Sequence, residues 1–338
     1  MFKADVVGFG SAIVDMLVPT SEDEFSRVPY RRGTMTLVNR EAIEELEAGV
    51  TATPIRVGGG SCANTLAGLA SLGVDSALVT ALGDDEAGTF FGESLSEAGV
   101  AVVVPERGFS EGTGRCMVLV TPDAERTMMT YLGVSTELDP SDLPISIFTS
   151  ARLLYLEGYL FDVEQLAEGL PAVVRQIRRM GVKVALSLSD STVVYRHRRL
   201  LEKLIESDVD ILFSNGDEGA ALTGLGDAVS VVERFRKLGV SGALTVGARG
   251  AFAFDREGVI FHEPPILGEI RDTTGAGDLF AAGFLAGQMR SLDLATSLSL
   301  GQLAAVEVIG HTGARPEVEL TQLVSEALPD LSRAFGRG

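Results

Sequence analysis

The feature that most constrains the fold is a rhythm. From Leu153 onward, short apolar runs near 153–157, 182–188, 209–213 and 242–246 are separated by helix-like stretches. Strands that alternate with helices of about 10–15 residues predict a parallel sheet covered by helices on both faces. Upstream, Val6 to Val18 reads as a strand, a Gly/Ser break and a second strand. Asn39 caps a short helix ending at Gly49. Ser61 to Leu72 reads as a helix of small residues stopped by Gly73, and Ala77 to Ala81 as a strand. Asp84 or Asp85 caps a helix that carries Phe90, Phe91 and Leu95 and stops at Gly99. Val100 to Tyr131 breaks the rhythm: it is rich in Val, Thr and Met, it alternates, and it predicts several antiparallel strands, an appended sheet. A strand pair around 251–263 and helices near 275–290, 293–309 and 317–327 close the chain.

With 338 residues and 46% hydrophobic content, the chain can bury one large α/β domain or two ordinary ones and is too apolar for disorder. There is no Pro/Ser linker, repeat or low-complexity tract, so one compact domain over 1–338 is the expectation. A net charge of −19, with 47 acidic and 28 basic residues, lacks the basic face that a nucleic-acid partner would need. Arg196-His197-Arg198-Arg199 reads as the solvated face of a helix. Cys62 and Cys116 have neither metal-ligand nor disulfide spacing, and His197, His262 and His311 form no metal-ligand pair. Lys3, Asp5 and Asp15 interrupt the apolar start, and no apolar stretch approaches the roughly 18 residues of a spanning helix. A cytoplasmic protein without membrane partners is expected.

The strongest chemical signal is Asp272-Thr273-Thr274-Gly275-Ala276-Gly277-Asp278, a glycine-rich turn running into a helix. The first N–H groups of a helix lack internal partners and point outward with the positive end of its dipole, which suits a phosphate or a developing oxyanion. A carboxylate at Asp278, beside that anion hole, can take a proton from a hydroxyl. By itself the pattern is equally compatible with a helix cap and a tight turn. Val57-Gly58-Gly59-Gly60-Ser61-Cys62-Ala63-Asn64 is a second glycine-rich helix start, whose amides, hydroxyl and carboxamide suit a polyol. Gly8-Phe9-Gly10 opens like a dinucleotide fingerprint, but Ile13 stands where a third glycine is required and no helix follows. Instead Asp15 interrupts an apolar strand, where a carboxylate needs a partner or a cleft. Asn215 and Glu218 follow a strand with the spacing of a capping box, or of a hydrated Mg²⁺ site. Thr245, Gly247 and Gly250 end another strand in a turn that suits either phosphate or a hairpin. No Gly-Lys dipeptide, V-A-I-K or H-R-D occurs, so Walker and protein-kinase machinery are absent.

In this order, over roughly residues 4 to 325, these segments resemble the ribokinase-like (PfkB-type) family of sugar and nucleoside kinases. The resemblance implies a three-layer α/β/α sandwich with a mainly parallel central sheet and a small β-sheet lid, its strands inserted within about 15–38 and 100–135. It implies ATP and Mg²⁺, Asp278 as catalytic base, and Gly275, Ala276 and Gly277 as the anion hole. Asp15, Gly59, Gly60, Ser61, Asn64 and Glu157 correspond to acceptor contacts. Asn215, Thr245, Gly247 and Gly250 correspond to the ATP site, with Glu218 holding Mg²⁺ through water. Asp272, Thr274, Val308, His311 and Gly313 fall on the positions of a monovalent cation, K⁺, found in some members, although Glu317 departs from that pattern. Gly59-Gly60-Ser61, the run Gly114 to Leu138 with Arg126-Thr127, and Tyr155 to Tyr159 are more similar to adenosine kinases than to ribokinases. The resemblance therefore implies a nucleoside acceptor, adenosine first, with a free sugar (ribose, fructose or 2-keto-3-deoxygluconate) as the alternative. Leu160 and Thr192 stand near positions where some relatives carry purine-stacking Phe, with Tyr159 and Phe161 as substitutes. Members of the family are monomers or homodimers.

Overall fold

The computed structural model describes residues 3–50, 53–123, 125–265 and 268–335. The first part runs β1 (Val6–Phe9), β2 (Ile13–Pro19), the short α1 (Glu22–Phe25), β3 (Met35–Leu37), α2 (Arg40–Gly49), β4 (Ile55–Gly58), α3 (Ser61–Ser71), β5 (Ser76–Val79), α4 (Glu86–Glu97) and β6 (Val100–Val103). It continues with β7 (Gly114–Val120), β8 (Arg126–Tyr131), β9 (Leu153–Glu157), α5 (Glu164–Arg178), β10 (Lys183–Ser187), α6 (Ser191–Asp208), β11 (Ile211–Asn215) and α7 (Gly216–Thr223). The last part is α8 (Ala228–Lys237), β12 (Ser241–Thr245), β13 (Ala251–Phe254), β14 (Val259–His262), α9 (Ala276–Met289), α10 (Leu294–Ile309), α11 (Leu320–Ala327) and α12 (Ser332–Phe335).

Nine strands form the main sheet in the order β14-β13-β12-β11-β10-β9-β1-β5-β6. All neighbours from β6 to β12 are parallel, and only β13 and β14 are antiparallel. Period-2 side-chain direction divides each strand between two cores. On β9, Leu154 and Leu156 face the α5, α6 and α8 side, while Leu153 and Tyr155 face the side of α3, α9 and α10. This is the expected three-layer architecture. Between α9 and α10 the small residues read from the sequence allow close approach: a Cβ on Gly283 would collide with the Leu300 carbonyl, and one on Gly287 with Ser297.

The smaller sheet has the order β3-β8-β7-β2-β4. Two corrections apply to the composition expected for this sheet. Val100–Val103 pairs in parallel with β5 at the edge of the main sheet, so it is not part of an antiparallel group; its Val-Ala-Val-Val pattern suits either sheet. The fifth strand of the small sheet is β4, Ile55–Gly58, antiparallel to β2 and outside both windows expected for that sheet. One face of the small sheet packs Met16, Val18, Met117, Leu119 and Met129 on Ile43 of α2. The stretch between β8 and β9, punctuated by Gly133, Pro140 and Pro144, forms three short 3-10 turns.

Candidate active site

The ends of β9, β10, β11 and β12 and the N-termini of α3 and α9 converge under the small sheet. Between the two sheets lies a cavity of about 870 Å³, within the range of small-molecule sites, about 300–1,000 Å³. Ligands of open parallel sheets bind at these carboxyl ends. The roof mixes an apolar patch of Ile13, Met35, Leu37, Met128 and Leu132 with the polar and charged Asp15, Asp123, Glu125, Arg126 and Thr130, all from the small sheet or its margin. The floor is mostly polar, with Glu157, Ser187, Asn215, Glu218, Thr245, Asp272–Gly275, Gly277 and Asp278 beside Phe213, Ala243 and Phe280.

Asp278 lies in the first turn of α9, whose N-cap is Gly275 at φ +79°. Glycine is required there twice over. The conformation is left-handed, and a Cβ would come within 2.7 Å of the Ala314 backbone. The Asp278 carboxylate accepts a hydrogen bond from Ser61 Oγ (2.7 Å) and another from Asn64 Nδ2 (3.0 Å). Burial raises its pKa to about 6, and the two hydrogen bonds oppose that rise. The two glycine-rich helix starts, more than 200 residues apart in sequence, thus meet face to face.

Asp15 projects from β2 beside Gly59, where a Cβ would lie 2.5 Å from its carboxylate. Burial pushes the Asp15 pKa up to about 7, against the opposing charges of Arg126 and Arg315. Glu157 is 1% exposed. Its carboxylate accepts from the Ser11 N–H (2.9 Å) and the Cys62 N–H (2.7 Å), and burial raises its pKa to about 7. It lines the cavity, but it also clamps the β1–β2 turn to the start of α3. Asp272 is enclosed: it accepts from Thr274 N (2.9 Å) and Gly313 N (2.8 Å), and it pairs with Arg126 of the small sheet. That ion pair ties the roof to the anion-hole turn.

Asn215 and Glu218 form the capping box, with Glu218 N donating to Asn215 Oδ1 and Asn215 N to Glu218 Oε2, both at 2.9 Å. Both also line the cavity, and burial raises the Glu218 pKa to about 7. A single carboxylate facing a polar cavity fits an ion such as Mg²⁺, which keeps most of its waters. Of the positions read as monovalent-cation ligands, Asp272 and Thr274 line the cavity floor, Gly313 bonds Asp272 through its N–H, and Val308 and His311 are outside the lining. Beside His311, the Glu307 carboxylate accepts from Glu317 N at 2.9 Å and lies 3.3 Å from His311 Nε2; its Oε2 and His311 Nε2 are both buried without a hydrogen-bond partner. Among the described residues, no group of three or more His, Cys, Asp or Glu side chains could hold a metal ion.

The cavity lining brings together Asp15, Gly60, Ser61, Asn64, Glu157, Asn215, Glu218, Thr245, Gly275, Gly277 and Asp278. Gly59 and Ala276 back this lining, and Gly247 and Gly250 lie further out in the β12–β13 turn. Phe161, weighed as a purine partner, packs in the core with Leu160, since the turn after β9 directs both inward. Tyr159 remains in the lining. Both cysteines are free and buried. No helix of the described residues is long and apolar enough to cross a membrane. Sequence reasoning missed Arg315, which reaches Gly59 and Asn64 from a loop 251 residues beyond Asn64; nothing local to a Gly-Ala-Arg-Pro turn marks it.

Residues 38–320 match the family model described as pfkB family carbohydrate kinase. The fold superposes on an adenosine kinase from Sinorhizobium meliloti with a TM-score of 0.90 and 34% identity, covering 96% of this chain and 100% of that one. It superposes equally, at TM-score 0.90 and 32% identity, on a probable sugar kinase from Rhizobium etli CFN 42, covering 97% and 99% of the two chains. The 5-dehydro-2-deoxygluconokinase of Bacillus subtilis (strain 168) is 26% identical, over 96% of each chain.

Proposed function

The chain belongs to the pfkB family of carbohydrate kinases, small-molecule kinases with ATP as phosphoryl donor, and from that premise we propose that it phosphorylates the hydroxymethyl group of a nucleoside, adenosine first, in the cytoplasm. The observation that carries the acceptor is an apolar patch set beside polar groups in one cavity. Ile13, Met35, Met128 and Leu132 form an apolar patch among the charged groups of the roof, within reach of the hydroxyls, amides and carboxylates of the floor. A molecule with one flat apolar part and one polyol part covers both the patch and the polar groups, whereas a free sugar leaves the patch wetted. The adenosine kinase among the solved structures supports the same acceptor.

In this reading Asp15, Gly59, Gly60, Ser61 and Asn64 hold the ribose hydroxyls, Glu157 shapes their turn, and Asp278 faces the hydroxymethyl oxygen. As that oxygen bonds to the γ-phosphorus, its proton passes to Asp278, the bond from the γ-phosphorus to the bridging oxygen breaks, and ADP leaves. Phosphoryl transfer relies on positioning and charge neutralisation. The N–H groups at Gly275–Gly277 and the dipole of α9 meet the charge on the transferring group. With a pKa of about 6, Asp278 is ionised at neutral pH yet close enough to accept a proton. Asn215 and Thr245 adjoin the nucleotide, with Gly247 and Gly250 beyond them. Glu218 would hold Mg²⁺ through water, and that ion would neutralise phosphate charge. Asp272, Thr274, Val308, His311 and Gly313 are read as a K⁺ site; equal turnover in K⁺, Na⁺ and choline salts removes it.

The discriminating experiment measures ADP release with adenosine, inosine, ribose, fructose and 2-keto-3-deoxygluconate. The expected order places adenosine first. A free sugar in first place transfers the reading to the alternative, which the position of Leu160 and Phe161 in the core favours, since it leaves only Tyr159 of those side chains beside a base. A flat response across the panel overturns the acceptor assignment altogether.

A further inference from the structure

Arg315 is the group in this site for which the reaction scheme has no use. It follows Gly313, whose N–H is held by Asp272, and Ala314, which packs under Gly275. The loop that supports the anion-hole turn therefore also delivers this guanidinium. Its Nη1 donates to Ser94 Oγ (3.0 Å), its Nε to Asn64 Oδ1 (3.5 Å) and its Nη2 to the Gly59 carbonyl (3.5 Å). The guanidinium carbon lies 5.6 Å from the centre of the Phe91 ring. The absence of a side chain at Gly58 makes room for it, because a Cβ there would sit 2.5 Å from Nη1.

We propose that Arg315 is a positioning residue that locks the Asn64 carboxamide with its oxygen toward the guanidinium and its NH₂ toward Asp278, so that the acceptor-binding turn and the base share one geometry. An amide in a polar site can rotate by half a turn and exchange its donor and acceptor ends. A guanidinium donates and never accepts, so it selects the orientation that leaves Asn64 Nδ2 on the Asp278 carboxylate, 3.0 Å away. The contact with the Gly59 carbonyl fixes the same turn at its other end. Arg315 also lies close enough to Asp15 for its charge to oppose the burial of that carboxylate. It thus acts on the reaction through Asn64 and the glycine turn, without touching substrate. The inference rests on the reading of Asp278 as the base.

A double-mutant cycle tests it, with Arg315→Met and Arg315→Lys made alone and on Asn64→Ala, alongside Asp278→Asn. With adenosine as acceptor, Arg315→Met is expected to lower kcat/KM at least tenfold while KM for ATP stays within twofold. Lys keeps the charge but not the fork, and is expected to recover no more than threefold of that loss. On Asn64→Ala, Arg315→Met is expected to cost less than threefold, because the group it orients is gone. A full tenfold cost on Asn64→Ala, a matching rise in KM for ATP, or no loss at all overturns the proposal. Thermal melts identify a variant that fails to fold; Arg315→Lys then carries the same cycle. An additive cycle beside an inactive Asp278→Asn sinks only the role of Arg315, whereas near-normal turnover of Asp278→Asn sinks the base and this inference together. If adenosine is not turned over, ribose takes its place in the cycle, and turnover of neither overturns the inference with the reading beneath it.

Discussion

Removing the Ser61 hydroxyl should move the acid limb of the rate profile upward. Ser61 Oγ donates to Asp278 Oδ1 at 2.7 Å, a bond that exists at full strength only when the carboxylate is charged. Hydrogen bonds to charged groups contribute about 1.5–3 kcal/mol, and one pKa unit corresponds to about 1.4 kcal/mol. Ser61→Ala therefore raises the Asp278 pKa by about 1–2 units. Water from the cavity can take the place of the hydroxyl, which favours the lower end, about 1 unit. The sign follows from the chemistry. The base works ionised, so activity falls as pH drops through its folded pKa, near 6 in the intact protein, and Ser61→Ala brings that fall about one unit closer to neutrality. The assay is kcat/KM for adenosine between pH 5 and 9 for both proteins. Asp15, Glu157 and Glu218 are each raised to about 7 by burial and also titrate in this window, but none of them bonds the Ser61 hydroxyl. A limb that stays where it was, or moves to lower pH, therefore refutes Asp278 as the group behind it.

Asp278→Asn should lower turnover by about 10²–10⁴-fold, the usual contribution of a positioned base, with ATP binding retained by isothermal titration. Asp15→Asn should weaken acceptor binding yet stabilise the ligand-free protein by about 1–2 kcal/mol at pH 8. The folded pKa of Asp15, about 7, exceeds its ordinary 3.8, so the stability tied to its neutral form is complete below about pH 4 and lost as pH rises through 7; a melting temperature that rises from pH 5 to 8 contradicts this. Glu157→Gln turns an NH₂ toward the N–H of Ser11 or Cys62 and should cost about 1–3 kcal/mol in urea unfolding. Gly283→Ala drives a methyl into the Leu300 carbonyl and should cost about 1–3 kcal/mol; an unchanged midpoint would mean that α9 and α10 separate freely.

The parallel sheet was legible because each of its strands is a short apolar run and several helix starts carry their own mark. Asn39, Asp85, Asn215 and Asp293 all cap helices in the structure. The cavity was legible in part because its glycine-rich turns are local signals at strand and helix ends. What escaped depends on partners far away in sequence. Nothing local marks that Glu157, which lines the cavity, also clamps the Ser11 and Cys62 amides, 146 and 95 residues distant. Val100–Val103 carries no mark of which sheet it joins. Leu160 and Phe161 follow a strand end that faces the cavity, but the turn there rotates them into the core while Tyr159 stays in the lining.

The strand order has a consequence for synthesis. β1 lies between β5 and β9, so one of its edges finds its partner early and the other must wait for Leu153. From Val79, the end of β5, to Leu153 the ribosome adds 74 residues, which at about 5–20 residues per second takes about 4–15 s. Throughout that interval Val6, Val7 and Phe9 present an unpaired apolar edge of the kind that recruits foreign strands. Glu157 emerges with the strand that closes this edge, so the clamp on the acceptor turn forms only when the exposure ends. A nascent chain stalled before residue 153 is thus both incomplete at its site and sticky at its centre.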